Sequence, residues 1–484
     1  MKKIALLSLG LFPAFAFAAS SGTFIGTGGN WTTGSNWESG AYPELAADNT
    51  YNITFTSNNT DLALKYAGVY KSGSNRTMYV YLGEDVENLT LRTSATSDAF
   101  FTRLDFSNIT KDCNIYLDTA PSGANKVRFG GALQSGTNLY LNTTDFYTAD
   151  WNATIRGHVH INVGTSEAPV VIQRFSGRGD ITIAEDCALR ATSAMNMQGD
   201  STHVSKITME TGSYMYCEAG IKVSDADIYG NLIITGARPY STADDSLNLY
   251  VNKRVVFRAG STLVNTYNTP SGARPVINGT SSYLYSYANA GDLSSAQAMQ
   301  LSNGGTLVLN SQNALSIGDG GEQNILVSQY ILTTPSAGNI GDAATTGNLR
   351  IGLDFDTGNT IAVAKNTVDN LDLYADSTLN LWLGGNDLEV VHLTQLGDTS
   401  NPFSLVLQDD IARGSLIVQD FNGLVSVDDV RSYISTGAGT TGELFVESVS
   451  DSYYIYTVAV PEPAEWAFIL GALVMSFVAY RRRK

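Results

Sequence analysis

His158 and His160 stand two residues apart in the run His158-Val159-His160-Ile161-Asn162-Val163. On a strand that spacing puts both imidazoles on one face, where they could move protons as general acid and base. Arg174, Arg178 and Asp180 follow about one repeat later, and would stack nearby if the chain coils back at that interval. A basic residue or a carboxylate pair beside such a face is the equipment for cleaving a glycosidic link. The plainer reading is a solvated strand face with Val159, Ile161 and Val163 pointing inward. On that reading no residue is catalytic.

The acidic pairs Asp244-Asp245, Asp354/Asp356, Asp409-Asp410 and Asp428-Asp429 offer carboxylate oxygens. A calcium loop needs three or more such oxygens in a short span with a glycine, and no Asp-x-Asp-x-Asp-Gly run occurs. Gly318-Asp319-Gly320-Gly321 and Gly341-Asp342 have turn chemistry instead. No Gly-x-Ser-x-Gly elbow is present, and only four histidines exist to act as bases. Cys113, Cys187 and Cys217 form neither a Cys-x-x-Cys motif nor a zinc cluster with histidine. They are too few for a disulfide framework, and their strand-like surroundings make them small buried hydrophobes. No metal and no cofactor are expected. Most of the 25 tyrosines fall inside strand-like runs, where packing is the simple explanation.

The elements that would carry these residues are short strands. Period-2 alternation bounded by Gly, Asn, Asp or Ser recurs in Asn88-Leu-Thr-Leu, Asn114-Ile-Tyr-Leu, Asn138-Leu-Tyr-Leu, Asp180-Ile-Thr-Ile, Lys206-Ile-Thr-Met and Asn370-Leu-Asp-Leu. The leading apolar positions are Leu89, Ile115, Leu139, Val159, Ile181, Ile207, Ile228 and Leu249, at intervals of roughly 20–26 residues. A sandwich would turn more often and without a longer period. A recurrence of this length, with a polar residue before each apolar pair, predicts an all-β solenoid: a right-handed parallel β-helix whose coils bury their inward residues by stacking. The best local helix is one or two turns over Val427 to Ile434, with Ser426 as N-cap and Asp428 and Asp429 in the first turn.

The two ends of the chain differ from its body. Lys2 and Lys3 precede an apolar run, and Ala16-Phe17-Ala18 has the small residues read by signal peptidase, so cleavage is expected between Ala18 and Ala19. At the other end Pro461-Glu462-Pro463 fixes an extended stretch that cannot join a helix. Ala464 to Tyr480 then sits at the short limit of a bilayer span, with Trp466 and Tyr480 near its two ends and the basic tail Arg481, Arg482, Arg483, Lys484 behind it. The positive-inside bias puts Lys484 in the cytoplasm and the body outside it. The formal net charge is -17, and the body is more acidic still once the terminal basic residues are set aside. Nucleic acid is excluded as a partner on that charge.

Three segments resemble known families. The Pro-Glu-Pro, apolar helix and basic cluster from Val460 to Lys484 resemble the PEP-CTERM sorting signal of Gram-negative bacteria. The resemblance implies processing by an exosortase, with Pro461, Glu462, Pro463 and the four terminal cations as the residues read. Gly29 to Pro43, with Trp31, Asn36, Trp37, Gly40 and Pro43, looks like the opening of autotransporter-like surface proteins. Asn303-Gly-Gly-Thr-Leu-Val-Leu-Asn310 and on to Leu315 is similar to the end of the autotransporter-associated β-strand repeat. Those families imply a parallel β-helix passenger. One apolar segment ends the chain in place of alternating barrel strands, so autotransport itself does not carry over.

The expected layout is a signal peptide (1–18), an N-terminal β cap (19–83), a parallel β-helix body (84–401), a terminal β cap (402–459) and the sorting signal (460–484) with a transmembrane helix over 464–480. The expected function is that of an exported, non-enzymatic structural protein of the cell surface or extracellular matrix. Signal peptidase and exosortase are the implied processing partners, and extracellular polysaccharide is a further candidate partner. The alternative is a polysaccharide-binding or polysaccharide-degrading protein on the same scaffold.

Overall fold

The computed structural model describes residues 20–31, 33–43, 50–63, 77–92, 103–118, 127–130, 132–144, 146–199, 202–235, 247–265, 274–278, 280, 282–286, 293–295, 299–310, 315–317, 325–327, 329–330, 340–341, 345–459 and 463–482. The expected signal peptide, the Ala18–Ala19 junction, Pro461, Glu462, Arg483 and Lys484 lie outside them. The chain is mostly β, in long parallel sheets. It divides into two units, Met1–Leu139 with Asp145–Tyr147, and Tyr140–Thr144 with Thr148–Lys484.

In the first unit two parallel ladders alternate along the chain. Ser20–Phe24 pairs with Thr50–Phe55, which pairs with Thr77–Leu82 and then Arg103–Asp105. Between them Gly28–Asn30, Thr60–Ala63, Asn88–Arg92 and Cys113–Asp118 form the other ladder. The segment expected as a cap before the first coil is thus itself made of stacked coils. Shielding comes from a smaller cluster. Trp31 and Trp37 are fully buried with ring centroids 4.6 Å apart, and Trp37 meets Phe24 edge-on at 5.3 Å. Trp37 Nε1 donates to Trp31 O at 2.8 Å, so the indole's one polar atom is satisfied inside the apolar cluster. Along the outer side of the second ladder, Asn114 Nδ2 donates to Asn88 Oδ1 at 3.0 Å and Asn138 Nδ2 to Asn114 Oδ1 at 3.1 Å. At Asn88, Asn114 and Asn138 the polar residue that opens the repeat pairs its amide from coil to coil.

In the second unit each coil supplies three short strands to three parallel ladders. One coil contributes 170–172, 174–177 and Asp180–Ile183; the next contributes Ala188–Ala191, Met195–Met197 and Lys206–Met209. The strands alternate buried and half-buried, and the buried set (Ile172, Phe175, Ile181, Ile183, Leu189, Ile207, Met209) fills the interior. Expected register holds for Leu89↔Ile115, Val159↔Ile181 and Ile181↔Ile207. It slips next: Ile207 pairs with Ala226, not Ile228, and Leu249 belongs to the ladder of Ile221. The cause is the strand Ile221–Ile228, which runs from one ladder into the next without a turn. Its bend is at Ser224, which is buried and donates its hydroxyl to Gln198 O.

The parallel ladders continue past residue 402 through Ser404–Leu407 and Ile434–Thr436. They are closed by an antiparallel hairpin, Glu443–Val449 with Ser452–Val458, whose second strand pairs with Leu416–Phe421. Covering the last coil this way removes an open sheet edge. The expected short helix is present as α1 (Val427–Ser432), with the Ser426 hydroxyl accepting from Asp429 N. Tyr433 caps it, so Ile434 begins a strand and does not extend the helix.

A second helix, α2 (Pro463–Arg482), follows the hairpin; Pro463, expected in the extended stretch, instead takes the first helical position, where a missing amide costs no hydrogen bond. Its described side chains run from Leu470 to Arg482 and all are exposed, including Leu473, Val474, Met475 and Phe477. Among the described residues no helix is long and apolar enough to cross a membrane. The apolar residues Trp466 to Ile469 lie before the described side chains of α2.

Candidate functional site

His158 and His160 are the outward residues of the strand His158–Ile161, whose Val159 and Ile161 are buried. Their rings lie together, centroids 3.8 Å apart and tilted by 31°. Tyr140, from the preceding coil, stacks on His160 at 4.3 Å with planes 10° apart. His158 Nε2 is 2.8 Å from Thr182 Oγ1, and in the ladder His158 stands opposite Asp180 and His160 opposite Thr182. Asp180 Oδ1 accepts from Lys206 N at 2.8 Å and sits 3.2 Å from His203 Nε2. Three of the chain's four histidines therefore gather on one outer patch.

Two of the five residues singled out in the sequence are elsewhere. Arg174 stands opposite Asn152 on a different ladder. Between it and Asp180 the chain turns a corner at Gly177-Arg178-Gly179, where the amides of Arg178 and Gly179 both donate to Ile155 O at 2.8 Å. Gly177 has φ +134, and a Cβ there would come within 2.3 Å of Ile155 O, so only glycine allows the coils to meet at this corner. Arg178 is exposed on the corner itself. The geometry thus brings together His158, His160 and Asp180 and separates them from Arg174. His203, Tyr140 and Thr182 join the patch. Tyr140 and Thr182 could have been found by carrying His160 one repeat backward and forward, whereas His203 sits in a turn that no periodicity marks.

Burial lowers the His158 pKa, against a smaller opposing pull from Asp180. His160 is brought down to about 4, first by burial and then by its neighbour His158. At neutral pH both rings are uncharged. Such a pair can accept protons or donate a lone pair, but a positively charged group to bind a uronate is not among its members.

Asp409, Asp410 and Asp356 are engaged in holding the fold. Asp410 accepts from Thr441 N at 3.0 Å, Gly442 N at 2.9 Å and the Thr441 and Thr457 hydroxyls, which pins the closing hairpin. The Thr441 hydroxyl first, then the Gly442 amide, hold its pKa below the usual carboxylate value. Asp409 takes the amides of Leu383 and Gly384. Asp356 joins Asp227 in gripping Arg258, while Phe355 from the same loop packs edge-on against Tyr285 at 5.3 Å. Asp428 and Asp429 lie in the first turn of α1, and Asp244, Asp245, Asp319 and Asp342 lie outside the described residues. No group of three or more His, Cys, Asp or Glu among the described residues could hold a metal ion. The three cysteines are free, with Cys113 and Cys217 buried. Burial pushes the Cys217 thiol up to about 12, which makes it inert.

One polar hollow of about 560 Å³ lies on the outer side of the third ladder, lined among others by Asn303, Thr346, Asn348, Asp376, Thr378 and Asn380. Asn380 Nδ2 donates to Asn348 Oδ1 at 2.9 Å, and Arg350 stacks over Trp382 at 4.4 Å two residues further along the same strands. In comparison with known proteins, no family model matches the chain, and no curated protein or solved structure matches it either.

Proposed function

We propose that this chain is an exported, non-enzymatic structural protein of the cell surface or extracellular matrix. Its body is a right-handed parallel β-helix, and its tail is a PEP-CTERM signal that seats a helix in the membrane before an exosortase processes it. The observation that carries the reading is α2. It starts at Pro463, ends in Arg481 and Arg482, and presents every described apolar side chain to the outside. Leaving a Leu, Val, Met or Phe in water forgoes roughly 1.5–3 kcal/mol each relative to burial. A helix that turns such residues away from its own chain needs another apolar phase, and the basic residues behind it suit the cytoplasmic face of a bilayer. The reading without catalysis draws support from the body: Arg174 is on another ladder, and Asp354, Asp356, Asp409 and Asp410 are bonded to backbone, hydroxyl or arginine donors of the fold.

Cell fractionation of the full chain beside a variant with Arg481, Arg482, Arg483 and Lys484 all changed to Ser tests the anchor. The variant is expected to be released or mislocalised while still folded, and equal retention and processing of the two would refute the sorting role. A second reading, binding to extracellular polysaccharide, is favoured by the amide- and hydroxyl-lined hollow beside Trp382. Incubating the purified chain with neutral and anionic polysaccharides separates the two. Retention on a glycan without product would support the binding reading, and unsaturated products or new reducing ends would establish an enzyme.

A further inference from the structure

We infer that His158 and His160 form a two-imidazole chelate for a borderline divalent transition metal, with Cu2+ the tightest. The two side chains leave the same face of one strand, and their ring centroids are only 3.8 Å apart. A metal held at about 2.0–2.1 Å from each of two imidazole nitrogens needs those nitrogens about 2.9–3.4 Å apart. In the resting stack the in-plane lone pairs do not converge, so binding requires both rings to turn about their side-chain bonds and their centroids to part, which the outward face of the strand allows without moving the backbone. Imidazole is the ligand that suits Cu, Ni and Zn, and the Irving–Williams order places Cu2+ first among them.

The surroundings hold the pair in place. Tyr140 backs the His160 ring from the preceding coil at 4.3 Å. Thr182 Oγ1, 2.8 Å from His158 Nε2, can accept a hydrogen bond from that nitrogen, which leaves Nδ1 with its lone pair free for the metal. An outer-shell partner of this kind fixes the tautomer and aims the ring of a metal-bound histidine. The His160 nitrogens make no hydrogen bond among the described residues, so a metal displaces nothing there. Asp180, opposite His158 in the next coil, adds a negative charge beside the cation. With two protein ligands the remaining positions belong to water, which makes this an open, exchangeable site rather than a closed structural one.

The test uses the full-length chain in mild detergent at neutral pH, titrated with Cu2+ alone and followed by calorimetry and by electron paramagnetic resonance. One equivalent is expected, with hyperfine splitting from two imidazole nitrogens. His158→Ala should weaken binding at least tenfold, as should His160→Phe, which keeps the stack on Tyr140 and removes the nitrogens. Thr182→Ala should cost about tenfold by freeing the His158 ring, and His392→Ala, on a different ladder beside Asp420, should change nothing. Circular dichroism matching the wild type qualifies each variant. Unchanged Cu2+ affinity in folded His160→Phe, or a spectrum without two nitrogens, would overturn the assignment.

Discussion

Ile181 and Thr182 are adjacent in sequence and should respond very differently to the same truncation. Ile181 is fully buried and stacked in register between Val159 and Ile207, which are 1% and 2% exposed. Ile181→Ala removes three buried carbons, about 2.4 kcal/mol at roughly 0.8 kcal/mol per methylene. The neighbours sit on fixed ladders and can close the gap only in part, so a cavity contribution brings the expected cost to about 3–4 kcal/mol. Thr182→Ala leaves the interior intact and removes one outward hydroxyl, worth about 0.5–1.5 kcal/mol. A stack of coils can open locally, so a single global unfolding energy would blur the contrast. Native-state hydrogen exchange read on peptides covering residues 180–183 and the two adjacent coils resolves it. At about 1.4 kcal/mol per tenfold, Ile181→Ala should speed exchange by more than 100-fold and Thr182→Ala by about tenfold or less. Exchange accelerated less than tenfold by Ile181→Ala, or equally by both, would mean that Ile181 is not the inward residue of this strand.

Other consequences follow from single contacts. Asp410→Ala should release the closing hairpin, seen as faster exchange in 443–458 with the third-ladder strands of 378–382 and 404–407 unaffected. Because the Asp410 pKa is lowered in the fold, its contribution is present above about pH 4, the unfolded value, and fades as the pH drops through the lower folded one. The same peptides should therefore lose protection in acid in the wild type, and show no such acid-dependent loss in the variant. Arg258→Ala should cost about 1.5–3 kcal/mol by leaving the mostly buried Asp227 without its cation, Asp356 being exposed to water, and should free the loop carrying Phe355 to limited proteolysis; an uncut loop would argue that Phe355 alone holds it. Trp37→Ala should cost about 3–5 kcal/mol and unfold the start of the first unit before the rest, which tryptophan fluorescence against far-UV circular dichroism would separate.

Parity along a strand was legible from sequence because it depends only on period 2: His158 and His160 had to share a face, and Val159 and Ile161 had to point the other way. Ladder membership was not, because it depends on how many corners the chain turns between two repeats. Arg174 and Asp180 are close in sequence, yet the Gly177–Gly179 corner puts them on different ladders. A pair of glycines reads equally well as a bulge or as a corner. The reverse failure occurs at Ile221–Ile228, where a bend without Gly, Pro or Asn joins two ladders inside one apparent strand and shortens the coil. A serine in such a run reads as an outward polar position, but Ser224 turns inward at the bend and hides its hydroxyl on Gln198 O. The N-cap at Ser426 was readable because capping is a local event needing no knowledge of the coil.

Stacking also explains where several of the described carboxylates of so acidic a chain are placed. On the third ladder the outward positions read His158, Asp180, Lys206, Asp225, Arg254 from coil to coil. Opposite charges face each other across neighbouring strands, and Arg254 closes on Asp225. Such directly opposed pairs stabilise by roughly 0.2–1 kcal/mol each, whereas like charges in the same places would repel at the inter-strand spacing of about 4.8 Å. A column built this way uses its charge to set register, fixing which coil sits on which. The histidine pair is the exception, because it ends the charged column with two neutral rings whose lone pairs no opposite charge engages. A transition metal therefore finds its ligands there and not on the more numerous aspartates.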